Sequence, residues 1–194
     1  MTDAYLTNPL IFLIQVLFGL YTTIVLLRFL LQWVRADFYN PISQFVVKLT
    51  TPLLGPLRRV VPGIGGADIA SLILAWLLKS TELILIGLLI GLDRNLAGAF
   101  FWSLPALVGL LINILLFAVF IRVILSWIQP DPRHPGVALL NRLTDPLLRP
   151  VQRLVPPISG IDLSPLFVLV GLVLARMLIL PPLQMLTLSP SWAV

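Results

Sequence analysis

Five charged side chains lie inside otherwise apolar stretches of this 194-residue chain: Arg28, Lys79, Glu82, Arg122 and Arg176. A charge at bilayer depth is costly, so it implies a partner, a cavity or a way for the charged head to reach the surface. Lys79 and Glu82 are three residues apart and can pair on one helical face. Arg176 lies 94 residues after Glu82, an offset that returns below. The pattern predicts an intramembrane charge pair of Glu82 with Arg176, with Lys79 as the fallback partner. Arg28 and Arg122 sit about 10 Å below one end of their stretches at 1.5 Å per residue. Either they snorkel to lipid phosphates, or they bond to polar groups of the adjoining loops and lock loop to span. Asp68 and Asp162 open the apolar stretches that follow those loops, so each is a candidate helix cap and loop anchor.

Other chemistry is excluded by residue type. The chain has no cysteine and one histidine, His134, in the run Pro130-Asp131-Pro132-Arg133-His134-Pro135. A structural metal or haem site needs several convergent ligands, and a lone loop histidine reads as a solvated residue. No serine–histidine–acid or paired-carboxylate arrangement falls in the apolar stretches. The glycines at 63–66 read as a turn before Asp68 and make no phosphate-binding loop. Neither an enzyme, a cofactor nor a metal is expected.

These residues must be positioned by membrane-spanning helices. The chain is 59% hydrophobic and only 11% charged, with a mean hydropathy of +1.04, against about 25% charged residues in soluble domains. A spanning helix needs roughly 20 apolar residues, and four stretches qualify: about Pro9–Val34, Ile69–Leu92, Leu104–Ile128 and Leu163–Leu180. Pro181-Pro182 removes two amide donors and should kink or end the last helix. The first stretch follows no basic segment and is too long for a signal-peptide core, so it reads as a retained span.

The chain is an internal duplication. Adding 94 to each position carries Arg28 onto Arg122, Trp33 onto Trp127, Pro52-Leu53-Leu54 onto Pro146-Leu147-Leu148, and Asp68 onto Asp162. Across 28–72, 18 of 45 positions are identical without a gap, and polar residues and prolines dominate the matches. The repeats are taken as 1–96 and 97–194. Each contributes two spans, so both have the same orientation, and a pseudo-two-fold axis along the membrane normal is expected to relate them. The loops 35–68 and 129–162 carry eight basic residues while the opposite side carries only Arg94. By the positive-inside rule the long loops face the cytoplasm and both termini face outside. The net charge of +5 is then a topology signal and points to no nucleic-acid partner.

Inside the first loop Ile42, Phe45, Val46, Leu49 and Leu53 recur at helical spacing, and Leu139, Leu140, Leu143 and Leu147 repeat the stripe. The spacing predicts interfacial helices over 42–50 and 137–145. Thr51 and Asp145, each followed by proline, read as caps of a further turn, which Pro56 and Pro150 should then break or bend.

The run Pro52-Leu53-Leu54-Gly55-Pro56-Leu57-Arg58-Arg59-Val60-Val61-Pro62, ending at Asp68, resembles the motif of the YggT family. So does Pro146-Leu147-Leu148-Arg149-Pro150-Val151-Gln152-Arg153-Leu154-Val155-Pro156, ending at Asp162-Leu163-Ser164-Pro165. The first copy departs from the second at Ala70-Ser71, where the second has Ser164-Pro165. The resemblance covers almost the whole chain. It implies a small multi-pass protein of the bacterial inner membrane, with plastid relatives. Family members have been linked to osmotic and ion homeostasis, to cell-division neighbourhoods and to assembly of a plastid membrane haem protein.

The expected fold is an all-α membrane protein of four transmembrane helices, arranged as two parallel-oriented helix–amphipathic loop–helix repeats. Two functions fit it. One is a scaffold or assembly factor that binds the bilayer and other membrane proteins. The other is an ion or osmolyte transporter or channel, which with so few spans would need a homo-oligomer. Trp33, Trp102, Trp127 and Trp192 are expected at the two membrane interfaces.

Overall fold

A computed structural model describes residues 2–61, 68–91, 96–128, 131, 134–155, 162–190 and 193, with backbone alone at 2–6 and 96. Pro62, Pro156, Arg94, Arg133, Trp192 and the glycines at 63–66 lie outside the described residues. The described chain is helical throughout: α1 (Thr2–Trp33), α2 (Pro41–Val60), α3 (Ile69–Leu89), α4 (Ala99–Ile128), α5 (Pro135–Leu154) and α6 (Ser164–Thr187), with one 3-10 turn at Leu96–Gly98. Helices α1, α3, α4 and α6 are long and apolar enough to cross a membrane. In lipid each must satisfy its own backbone polar groups, which a continuous helix does. The chain is a multi-pass membrane protein.

The prolines are accommodated inside helices. Helix α6 does not end at Pro181-Pro182 but runs on to Thr187, where Leu188 closes it in the left-handed region at φ 51°. Likewise α2 passes through Pro52 and Pro56, and α5 through Pro146 and Pro150. The expected 42–50 and 137–145 segments are therefore parts of 20-residue helices. A proline costs one backbone bond and crowds the carbonyl four residues back. Thr51 and Asp145 consequently cap nothing at the prolines; both lie mid-helix.

The true caps are Asn40, whose side chain accepts from the Ile42 amide at 2.9 Å, and His134, whose Nδ1 accepts from the Gly136 amide at 3.2 Å. The lone histidine is thus exposed but employed. Asp68 caps α3 through the Ser71 amide, whereas Asp162 accepts from the Ser164 amide at 2.9 Å just ahead of α6.

Each repeat builds its own small core from equivalent positions. Val25, Leu54 and Leu74 meet in the first, and Val119, Leu148 and Val168 in the second. Helices α2 and α5 thereby pack against their own pair of spans.

The expected two-fold relation between the repeats is not realised. It would make the α3–α4 contact equivalent to one between α6 and α1, and no comparable α1–α6 interface exists. Trp76 Nε1 donates to the Phe100 carbonyl at 2.8 Å, and Ser80 Oγ lies 3.0 Å from Ser103 Oγ, tying α3 to α4. The positions equivalent to Trp76 and Ser80 on α6 are Val170 and Leu174, which have no donors to give. The repeats therefore join head to tail, as in a heterologous interface.

This asymmetry separates two stripes that look alike in sequence. Leu139 and Leu143 of α5 are buried, and Leu143 packs with Phe29 and Leu30 of α1. Their equivalents on α2, Phe45 and Leu49, are 61% and 38% exposed, with Ile42 and Leu53 exposed beside them.

Candidate functional site

Two polar constellations stand out in this apolar frame. The first is a pair of latches. Arg28 of α1 is nearly buried, and its Nη1 donates to the Val47 carbonyl at 3.2 Å, to Thr50 Oγ1 at 2.5 Å and to Thr51 Oγ1 at 3.3 Å. Arg122 of α4 repeats the arrangement, with Nη1 donating to the Asn141 carbonyl at 3.3 Å, Thr144 Oγ1 at 2.6 Å and Asp145 Oδ1 at 2.7 Å. In both repeats the three acceptors lie 19, 22 and 23 residues beyond the arginine. Thr50 and Thr144 are fully buried, and each also donates at 2.8 Å to the carbonyl four residues back. Pro52 and Pro146 cannot donate to the carbonyls of Lys48 and Arg142. The turn just before each proline instead receives the guanidinium and the threonine hydroxyls. Of the two roles open to these arginines, this is the locking of loop helix to span.

The counterions come from different places. Asp145 pairs with Arg122 and, through its other oxygen, with Arg149 at 2.7 Å. In the first repeat Thr51 replaces that carboxylate, and Asp68 lies 3.9 Å from Arg28 Nε. Asp68 also holds Arg58 of α2 in an ion pair and accepts from Ser71 Oγ at 2.5 Å. Gln152, equivalent to Arg58, donates to Asp162 at 2.8 Å. Each aspartate thus joins its amphipathic helix to the start of the following span. Of the remaining motif residues, Pro52, Pro56, Pro146 and Pro150 are internal to α2 and α5, and Arg59 and Arg153 are exposed in their last turns.

Burial alone would raise the carboxyls of Asp68, Asp145 and Asp162. Donors outweigh it and hold all three below the ordinary carboxylate value: Arg58 and Ser71 at Asp68, Arg122 and Arg149 at Asp145, Ser164 and Gln152 at Asp162. The stability such groups contribute is complete above the unfolded value near pH 4. It is lost as pH falls through the lower folded values. Docking of α2 and α5, followed by amide exchange, should accordingly be flat around neutrality and fail only below about pH 4. Asp145→Asn should reduce the α5 part of that acid transition and leave the share carried by Asp162.

The second constellation is a cavity of about 280 Å³ reached by all four spans, with Gln15, Lys79, Glu82, Asn113 and Arg176 on its wall. Lys79 Nζ lies 2.7 Å from Glu82 Oε1, and Arg176 donates to Asn113 Oδ1 at 3.0 Å. The expected Glu82–Arg176 pair is not formed. Helix α4 packs against both α3 and α6, and its Asn113 takes the guanidinium. Both residues line one cavity, yet Glu82 pairs with Lys79 and Arg176 bonds to Asn113. Glu82 is 2% exposed, and its Oε2 has no hydrogen-bond partner among the described residues.

Sequence reasoning missed the acceptors Thr50 and Thr144 and the Arg58–Asp68 and Gln152–Asp162 links. Their signal was present in the repeat: Arg28 with Thr50, and Arg122 with Thr144, recur at one spacing. Among the described residues no cluster of three histidine, aspartate or glutamate side chains is placed to hold a metal.

Comparison with known proteins agrees with the duplicated architecture. The sequence model of the CCB3/YggT family matches twice, over residues 7–89 and 101–183. An uncharacterised protein of Pseudomonas aeruginosa is 46% identical over 188 residues, covering 96% of this chain and 95% of its own. The uncharacterised YggT protein of Escherichia coli is 40% identical over 177 residues, covering 91% and 92%. An uncharacterised protein of Vibrio alginolyticus is 40% identical over 174 residues, covering 88% and 93%. No solved structure matches. With both halves matched by one family and relatives aligned along nearly their full length, the chain belongs to the CCB3/YggT family.

Proposed function

We propose that this protein is a non-enzymatic scaffold or assembly factor of the bacterial inner membrane, which docks other membrane proteins along α2. In this reading α2 and α5 lie at the cytoplasmic face and both termini outside, which the basic residues collected in the two long loops support. The observation that carries the reading is the unequal fate of the two apolar stripes. On α5 Leu139 and Leu143 are buried, Leu143 against Phe29 and Leu30 of α1 and Ala118 of α4, while on α2 Val46 is buried but Phe45, Leu49 and Leu53 remain open. The Arg28 latch holds that open stripe in fixed register on the bundle, so a partner meets a preformed surface.

A photo-crosslinking residue placed at Phe45 in cells should yield discrete adducts with other polypeptides. The same reporter at Leu139 should link only to α1 and α4 of its own chain. If the Phe45 reporter captures lipid and nothing else, the docking face is a lipid contact and the scaffold reading fails.

A second reading, transport of an ion or osmolyte by an oligomer, is favoured by one observation: the partnerless Glu82 oxygen facing a polar cavity between the repeats. Purified protein in proteoliposomes separates the two. The scaffold gives no ion flux above empty vesicles, whereas flux abolished by Glu82→Gln in a stably folded variant supports transport.

A further inference from the structure

A second cavity, also about 280 Å³, opens where the end of α1 meets α2, and Arg28, Arg35 and Arg58 converge on it. Asp68 is the carboxylate paired with Arg28 and Arg58 there, so the three guanidiniums keep a net positive charge. Asp37, nearby, accepts from the Tyr39 amide at 2.9 Å. Arg35 forms no ion pair among the described residues and is held at φ 51°, where side chains other than glycine are uncommon. That conformation is the ordinary left-handed close of α1, in which the Ala36 amide donates to the Leu31 carbonyl at 2.8 Å and the Arg35 amide to the Gln32 carbonyl at 3.1 Å.

A second, independent observation points to a ligand. Ser43 lines the cavity and is 6% exposed, yet its hydroxyl has no hydrogen-bond partner among the described residues. A buried polar group without a partner is costly unless something occupies it.

The repeat shows that this site is specific to the first unit. The positions equivalent to Arg35, Ser43 and Arg58 hold Gln129, Val137 and Gln152. The latch arginine is kept in both units, and the extra cations and the hydroxyl are not.

We propose that this cavity is a binding site for the phosphate headgroup of an anionic phospholipid. The charge and the hydroxyl suit a phosphodiester, which accepts from guanidinium and hydroxyl donors. Basic pockets between helices at the membrane surface take anionic headgroups. Leu31, Phe38 and Val46 give the same cavity an apolar wall, as the glycerol and first acyl carbons require and a free phosphate does not. Trp33 and Tyr39, adjacent in sequence to the lining residues, are 65% and 83% exposed, as aromatic side chains at headgroup level are. The inference is independent of the scaffold reading.

The test measures how strongly the full-length protein retains phosphatidylglycerol over phosphatidylcholine, by native mass spectrometry from mixed micelles. Because the second repeat tolerates its own residues at these positions, R35Q/S43V/R58Q is expected to fold. It should weaken phosphatidylglycerol retention by roughly tenfold or more, with two cations lost. R35Q alone, at an exposed position, should give an intermediate loss with unchanged helicity. R142Q/R153Q, which removes the same charge from the exposed side of α5, should leave retention unchanged. The proposal is overturned if R35Q and the triple variant retain the lipid like the parent protein, or if R142Q/R153Q loses as much. Displacement of the lipid by inorganic phosphate at matched concentration would assign the site to a soluble anion and overturn the lipid assignment.

Discussion

Arg28→Gln should destabilise the protein by about 3–5 kcal/mol, the range expected when one partner of a buried charged network is removed. The guanidinium serves two sides at once: Nη1 meets three acceptors on α2, and Nε faces Asp68. Hydrogen bonds to charged groups contribute roughly 1.5–3 kcal/mol each, but the three acceptors share one nitrogen, so their effects do not add. Arg122→Gln should cost less. Its side chain is 23% exposed against 8% for Arg28, and Asp145 keeps Arg149 as a second partner. Arg28→Lys should recover only part of the loss, because an ammonium cannot reach both α2 and Asp68. Equilibrium unfolding in a fixed detergent or lipid mixture gives the ordering directly. Equal and small effects of Arg28→Gln and Arg122→Gln would mean that both arginines merely snorkel.

The second large effect is expected at Glu82. Its carboxylate is buried at membrane depth with Lys79 at 2.7 Å. Glu82→Gln leaves Lys79 without its counterion, and Lys79→Met leaves the carboxylate alone; each should cost about 3–5 kcal/mol. The double variant should recover much of that sum, giving a clear coupling energy. Arg176→Gln should instead combine additively with Glu82→Gln, since the guanidinium belongs to Asn113 on α4. Strong coupling of Glu82 with Arg176 and none with Lys79 would contradict the observed packing.

The spans, the duplication and the family were legible in the sequence because each rests on a one-dimensional signal. Apolar runs of sufficient length mark α1, α3, α4 and α6, and identities such as Pro52/Pro146 and Asp68/Asp162 mark the repeat. The proline-containing helices were not legible. Thr51-Pro52 and Asp145-Pro146 read as the start of a further turn and Pro56 and Pro150 as its break or bend, because nothing local shows that Arg28 and Arg122, more than twenty residues earlier, bond to the turn before each first proline. Lateral neighbours were not legible either. Glu82 and Arg176 share a depth by repeat arithmetic, but which helices touch depends on the α3–α4 contacts of Trp76 and Ser80. The same packing choice covers Leu139 and Leu143 while leaving Phe45 and Leu49 open, although both stripes have one periodicity.

Helices α2 and α5 are folded platforms latched to the bundle, each by its own arginine. Amide hydrogen exchange of the full-length protein in lipid nanodiscs tests it most directly, read separately over 41–60 and 135–154. Both segments should be protected in the parent protein. In Arg28→Gln protection of 41–60 should fall selectively, and in Arg122→Gln that of 135–154 should fall selectively. Rapid exchange of both segments in the parent protein, or protection untouched by either substitution, would contradict it.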